Sequence, residues 1–190
     1  MSDVPWAWYL SRASALVGFS LLYISIFLGL AVRTPFLNKI IKPVYSLRAH
    51  CWISLQALIF ALIHGLALLF DKFIDFSLAD IFIPFVSEFE TGLIALGIIS
   101  FYLMIILVVS SYLKQYVSQR VWRALHSLNV GLYMASIIHA FYLGTDMKEE
   151  MIRNVFIYAN LLLIALFAVN ILIRLRLVVG KKIENNENLR

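Results

Sequence analysis

Charged residues are scarce in this sequence, and their scarcity excludes an ordinary soluble domain. Asp, Glu, Lys and Arg make up only 14% of the 190 residues, whereas 62% are hydrophobic and the mean hydropathy is +0.88. Soluble domains carry about 25% charged residues. The single cysteine, Cys51, excludes an internal disulfide and leaves the redox compartment undetermined. The composition is that of an integral membrane protein.

Five stretches of the sequence contain no Asp, Glu, Lys or Arg. Each has about the ~20 residues that a helix needs to cross a bilayer, so the sequence predicts an all-α bundle of five transmembrane helices. The first stretch is too long for a signal-peptide core and follows no basic region, so we expect it to be retained. A further apolar run, residues 73–86, is interrupted by acidic residues and is expected to lie in the membrane interface. The five predicted helices cover residues 13–32, 49–70, 91–113, 124–145 and 154–173.

The distribution of basic residues predicts the orientation of the chain in the membrane. Most of the 16 Lys and Arg lie in the loops before the second and fourth predicted helices and in the C-terminal tail, whereas residues 71–90 and 146–150 are acidic. The positive-inside rule then places the N-terminus outside and the C-terminus in the cytoplasm. We expect a multi-pass protein of the plasma (cell inner) membrane, with residues 179–190 as a polar cytoplasmic tail. The net charge of +5 reflects this topology and does not indicate nucleic-acid binding.

All four histidines lie inside the uncharged stretches, as His50 and His64 in the second and His126 and His139 in the fourth. An ionisable residue within a bilayer is costly unless a partner or a metal satisfies it, so it marks a candidate functional site. At about 1.5 Å per residue, each pair spans roughly 20 Å. Depth alone therefore pairs His50 with His126 near the cytoplasmic face and His64 with His139 near the outer face.

Two facing imidazoles at each depth suit the axial coordination of a haem iron by two parallel helices. The sequence lacks a C-x-x-C-H motif, so such haems would be non-covalent and b-type. On an ideal helix, fourteen residues return His64 to within about 40° of His50, but thirteen residues leave His139 about 140° from His126. A bend near Gly131 or laterally offset haems would accommodate the difference.

Other interpretations of the histidines remain open. They could be buried residues that are hydrogen-bonded to neighbouring helices. A non-haem metal site would have too few ligands, because each depth offers two histidines and the spanning stretches contain no carboxylates. Three arginines are candidate partners of haem propionates, although membrane anchoring explains them equally well. They are Arg12 at the outer level and Arg48 and Arg123 at the inner level.

The spacing of the histidines and two short motifs resemble the ferric reductase-like transmembrane domain. That superfamily includes NADPH oxidases, ferric reductases and the haem-binding membrane subunit of the bacterial methionine sulfoxide reductase system. The resemblance covers residues 8–178 and implies a haem-binding domain over residues 1–178. It implies two b haems, with Arg12 near the outer one, where the acceptor is reduced. The motifs are Leu10-Ser11-Arg12-Ala13-Ser14-Ala15 and Trp122-Arg123-Ala124-Leu125-His126.

The resemblance also implies electron transfer from a cytoplasmic donor to an acceptor at the outer face. The acceptor would be a ferric chelate, dioxygen or a periplasmic redox protein. Family members often continue into a flavin and nicotinamide domain, but this sequence contains no Gly-rich nucleotide loop, so neither cofactor is expected here. We therefore expect a separate flavoprotein or quinone as donor, and an oxidoreductase only together with that partner. The alternatives are a quinone-linked cytochrome b subunit and a structural or assembly membrane protein without haem.

Overall fold

A computed structural model describes residues 5–71 and 74–187, with side chains through residue 176, and every regular element in these ranges is helical. The four long helices are α1 (Trp6–Ala31), α3 (Pro43–Leu68), α5 (Thr91–Tyr112) and α8 (Glu150–Glu187). Each has an apolar stretch long enough to cross a bilayer, as a multi-pass membrane protein requires. The shorter elements are α2 (Leu37–Ile40), α4 (Leu78–Phe82), α6 (Gln119–His126), α7 (Asn129–Leu143) and 3-10 turns at Lys114–Tyr116 and Thr145–Lys148.

The prediction of one continuous helix over residues 124–145 is wrong. This stretch is divided between α6, which ends at His126, and α7, which begins at Asn129. Ser127 and Leu128 form a turn between the two helices, and the Ser127 hydroxyl donates a hydrogen bond to the carbonyl of Ala124 at 2.6 Å. The fifteen residues of α7 extend roughly 22 Å at ~1.5 Å per residue. That is shorter than a hydrocarbon core of about 30 Å.

The interruption also removes the helical-phase discrepancy between the two histidines of this stretch. His126 lies before the turn and His139 lies after it, on a separate helix. The angle expected for an unbroken helix therefore does not apply. The change of direction lies at Ser127 and Leu128, and not at Gly131, which is inside α7.

The helices that carry the histidines belong to two different hairpins. The first hairpin consists of α1 packed against α3, and the second of α5 packed against α7, whereas α3 and α7 make little direct backbone contact. A close approach within the first hairpin depends on Gly18, where a Cβ atom would lie 3.3 Å from the Cβ of Phe60. Small residues permit such approaches between helices in a membrane. The arrangement lets side chains of α3 and α7 face each other across the boundary between the hairpins.

Two asparagines attach α8 to the rest of the bundle. Asn160 accepts a hydrogen bond from the Tyr133 hydroxyl of α7 at 2.5 Å, and Asn170 donates one to the Thr34 hydroxyl at 2.7 Å. All four side chains belong to buried residues. α8 continues to Glu187, so the predicted polar tail is helical over residues 179–187, and residues 188–190 lie outside the described residues.

The predicted interfacial segment contains the short helix α4. Ser77 and Asp80 form a capping box at its start, in which each side chain bonds to the backbone of the other residue. Several large apolar side chains of this region are exposed, among them Leu78, Ile83 and Phe85. Such a surface suits the boundary between lipid and water. Residue 73, at the start of the predicted segment, lies outside the described residues.

Candidate functional site

The structure brings the four histidines together in two pairs. The ring centroids of His50 and His126 are 6.2 Å apart, with planes at 72°, and those of His64 and His139 are 6.4 Å apart, with planes at 77°. All four residues are partly buried. These are the pairs that depth alone predicts. The coordination of iron by them stays a prediction.

The separation within each pair fits a metal ion placed between two imidazoles. A first-row metal lies ~2.0–2.1 Å from a coordinating imidazole nitrogen, which puts the centroids of two opposed rings about 6.3–6.5 Å apart. A direct hydrogen bond between the rings, with nitrogens ~2.9 Å apart, would bring the centroids to about 5.2 Å. The observed 6.2 Å and 6.4 Å agree with the first arrangement and are too long for the second.

Three of the four histidines have Nδ1 within hydrogen-bond distance of a backbone carbonyl oxygen. A carbonyl can only accept, so this contact requires the proton on Nδ1 and leaves the Nε2 lone pair free. Histidines that bind metals through Nε2 are commonly oriented in this way. The acceptors are Ser25 at 2.8 Å from His50, Ser11 at 3.0 Å from His64 and Leu93 at 2.8 Å from His139.

Two serines of α1 contact the two histidines of α3 in equivalent ways. The Ser11 hydroxyl lies 3.0 Å from Nδ1 of His64, and the Ser25 hydroxyl lies 2.9 Å from Nδ1 of His50. The serines are fourteen residues apart, as are these histidines, and the two helices run antiparallel. The histidine pattern alone predicts no role for either serine. The equal spacing on two neighbouring helices is the sequence signal that points to them.

Gly97 of α5 leaves the space that the His139 ring occupies. A Cβ atom at this position would lie 2.5 Å from Cε1 and 2.7 Å from Nδ1 of His139, distances that a closely packed interior does not tolerate. Gly97 lies one helical turn after Leu93, whose carbonyl accepts the hydrogen bond from the same ring. The sequence gives no sign of this role. Gly92, on the same helix, would have no neighbour within 4 Å of such an atom.

His126 is positioned by an aromatic ring. The indole of Trp122, one turn earlier on α6, stacks on the imidazole with centroids 4.8 Å apart and planes at 18°. The ammonium of Lys114 lies 4.4 Å from the indole centroid. Nδ1 of His126 and Nε1 of Trp122 are buried without a hydrogen-bond partner among the described residues. Unpaired buried nitrogens are costly, so these two nitrogens are candidates for contact with a bound group.

The three arginines occupy different surroundings, and their contacts with propionates stay predictions. Arg12 forms an ion pair with Asp146, in which Nε donates to the two carboxylate oxygens at 2.8 Å and 2.9 Å and Nη2 also donates to Oδ1. Arg123 is exposed, and its Nε donates to the carbonyl of Gln119 at 3.2 Å. Arg48 lines a groove of about 490 Å³ with Leu47, Cys51, Trp52, Leu55 and Tyr112.

The side chains of the described ranges contain no group of three or more His, Cys, Asp or Glu that could hold a metal ion. Each histidine pair offers only two ligands, whereas a bare zinc ion takes four. A haem carries four ring nitrogens of its own and takes only the axial ligands from the protein. The donor set therefore fits a haem better than a free transition-metal ion.

The comparison with known proteins gives one match. No curated protein and no solved structure matches the chain. A family model matches residues 6–146, from the start of α1 to the turn that carries Asp146. This range includes all four histidines, both serines, Gly97 and the Arg12–Asp146 ion pair. The chain belongs to the family described as Domain of unknown function (DUF8596).

Proposed function

We propose that this protein binds two b haems and transfers electrons across the membrane. One haem would lie between His50 and His126, and the other between His64 and His139. The observation that carries the proposal is the pair of centroid separations, 6.2 Å and 6.4 Å, which fit one metal between each two rings. The Nδ1 contacts with carbonyl oxygens support it, because they leave Nε2 of three histidines available as a ligand.

The two candidate sites lie at different depths along α3 and along the α6–α7 segment. Both α3 histidines belong to one uninterrupted helix, so their fourteen-residue spacing corresponds to roughly 20 Å of rise. The α6–α7 segment covers the same distance, since its histidines face the two on α3. We therefore count α7 as the fifth crossing of the membrane in this proposal.

A bound haem would supply a one-electron redox centre at each level. Each histidine pair would supply both protein ligands of the iron, so the protein would carry electrons at these levels and would not bind oxygen there. The carbonyl contacts orient three of the four rings, and the stacked indole of Trp122 orients the fourth. Chemistry with the final acceptor would take place at the outer surface.

The charges at the two ends of the bundle support an inward donor and an outward acceptor. The end near His50 and His126 carries basic residues, and the connections at the other end carry the acidic ones. With the basic end in the cytoplasm, the donor would be a separate flavoprotein or a quinone. The acceptor would be a ferric chelate, dioxygen or a periplasmic redox protein, and the membrane the plasma (inner) membrane. The proposal involves no nucleic acid.

The test is a haem assay on the protein purified from a host that supplies haem. We expect two haems per chain in a pyridine haemochrome assay and low-spin b-type bands in the reduced-minus-oxidised spectrum. The absence of haem in the intact protein would refute the proposal, and one haem per chain would show that one histidine pair is structural.

Substitution of single histidines tests the two-level arrangement. His64→Ala should remove one spectral component and His50→Ala the other, because the two residues are roughly 20 Å apart and share no ligand. Cys51→Ala is the matched control, since Cys51 is an exposed neighbour of His50 on the same helix. If both histidine variants abolish the same component, the two-level arrangement is wrong.

A further inference from the structure

An ion pair between Arg12 and Asp146 connects the two hairpins at their outer end. Arg12 belongs to α1 of the first hairpin, and Asp146 lies in the 3-10 turn that follows α7 of the second. Among the side-chain hydrogen bonds of the described residues, no other bond joins α1 or α3 to α5, α7 or this turn. The other polar contacts of these helices lie within one hairpin or lead to α8 or α4.

The geometry of this contact indicates a fixed pair. The Asp146 side chain is only 8% exposed and receives hydrogen bonds from two nitrogens of the Arg12 guanidinium. The aromatic ring of Trp8 lies 4.7 Å from the guanidinium carbon and packs against the cation. A buried carboxylate that loses its partner becomes an uncompensated charge, so either residue alone would be unfavourable here.

Both ends of the ion pair are close in sequence to the outer histidine pair. Arg12 directly follows Ser11, which contacts Nδ1 of His64 through its carbonyl and its hydroxyl. Asp146 follows His139 by seven residues, and only Gly144 separates α7 from the turn that carries it. Among the described side chains, no ion pair lies beside the inner histidine pair.

We propose that Asp146 is a positioning residue of the outer site. Through Arg12 it would hold the two hairpins at the separation that places His64 opposite His139. It would also neutralise a cation that otherwise stands at the outer level. The redox consequences rest on the proposed function, whereas the mechanical connection does not.

Neutralisation of the Arg12 cation by Asp146 predicts that the two single substitutions shift the midpoint potential of the outer haem in opposite directions. Asp146→Asn would leave the Arg12 cation uncompensated, so reduction of the outer haem becomes easier and its midpoint potential rises. Arg12→Gln would leave the Asp146 carboxylate uncompensated, so the potential falls. The double variant removes both charges and should lie between the two single variants. The inner haem should keep its potential in all three.

The first experiment is a double-mutant cycle of thermal unfolding with the full-length protein in detergent. Both single substitutions should lower the unfolding temperature, and the double variant should be no less stable than the worse single variant, because the pair is already broken. Glu150→Gln, an exposed acidic residue close to Asp146, is the matched control and should leave the unfolding temperature unchanged. Additive losses would overturn the connection between the hairpins.

The second experiment is a redox titration of the same variants. Opposite shifts of the outer component support the charge compensation between Asp146 and Arg12. Shifts of equal sign, or none, would overturn it even if the stability cycle shows coupling, because a purely structural contact would not move the potential in opposite directions. Absence of haem from the parent protein would refute the proposed function, and the stability cycle would still decide the connection.

Discussion

Nδ1 of His64 lies 3.0 Å from the backbone carbonyl oxygen of Ser11. The hydrogen-bond acceptor for this ring is therefore part of the backbone of α1 and not of a side chain. Ser25 has the same relationship with His50, at 2.8 Å. Replacement of either serine by alanine would remove a hydroxyl and leave this acceptor in place. The packing of α1 on α3 is what sets the orientation of both rings. Residues that control the approach of helices should then matter more than the serine hydroxyls.

Gly97 is such a residue, and we predict that Gly97→Ala disrupts the outer site. The added methyl group would lie 2.5 Å from Cε1 of His139, so the ring must move or α5 must shift. Overpacking of this kind costs about 1–3 kcal/mol, which corresponds to roughly 5- to 140-fold weaker retention of the outer haem. The measurement is the reduced-minus-oxidised spectrum of the purified variant, in which the inner component should persist.

Gly92→Ala is the matched control for this prediction. It makes the same change on the same helix, at a position where the methyl group meets nothing within 4 Å. Alanine is the better helix former by about 1 kcal/mol, so this variant should keep both haems and unfold at the same or a higher temperature. Equal haem loss in the two variants would show that the contact with His139 is not the cause.

The sequence predicts the helical class, the four long helices and the assignment of the histidines to two levels. These properties depend on apolar length and helical rise, which are local features of the chain. The break between His126 and Asn129 was not predictable from hydropathy, because the residues on both sides of it are apolar. The partner of Arg12 was not predictable either, since it lies 134 residues away and is positioned by the fold.

Tyr133 and Asn160 give a prediction about stability. Tyr133→Phe removes the hydroxyl that donates to Asn160 at 2.5 Å and leaves a buried amide oxygen without this donor. Hydrogen bonds between helices in membranes contribute about 0.6–1.7 kcal/mol. We therefore expect a loss of this size in the free energy of unfolding, measured by denaturation in detergent. Tyr158→Phe, at a tyrosine that is 71% exposed on α8, should have no measurable effect, and equal losses would refute the prediction.

The charge distribution predicts the sidedness of the protein. A reporter that works only in the cytoplasm should be active when it is joined after Arg190. A reporter that works only on the outer side should be active when it is joined before Met1. The physical reason is that Lys and Arg concentrate in the loops near His50 and His126 and in the C-terminal tail. The pair of reporters is measured in intact cells, with expression checked by immunoblotting. The reverse activities would invert the proposed direction of electron transfer.

Trp122 gives the last prediction, because His126 differs from the other three histidines. Its Nδ1 has no hydrogen-bond partner among the described residues, and the stacked indole 4.8 Å away is the contact that orients the ring. Such aromatic contacts contribute about 0.5–1.5 kcal/mol. Trp122→Leu should therefore weaken retention of the inner haem by about 2- to 12-fold.

Trp122→Phe separates stacking from the indole nitrogen. A phenyl ring keeps the stack and removes Nε1, so the inner component should be retained if stacking positions His126. If Nε1 instead binds a propionate, this variant should lose the inner haem as strongly as Trp122→Leu does. Trp52→Leu, at a tryptophan that is 60% exposed on α3, controls for the loss of an indole and should keep both components. Loss of the outer component in a Trp122 variant would contradict the assignment of this residue to the inner level, because His64 and His139 face each other at the other depth.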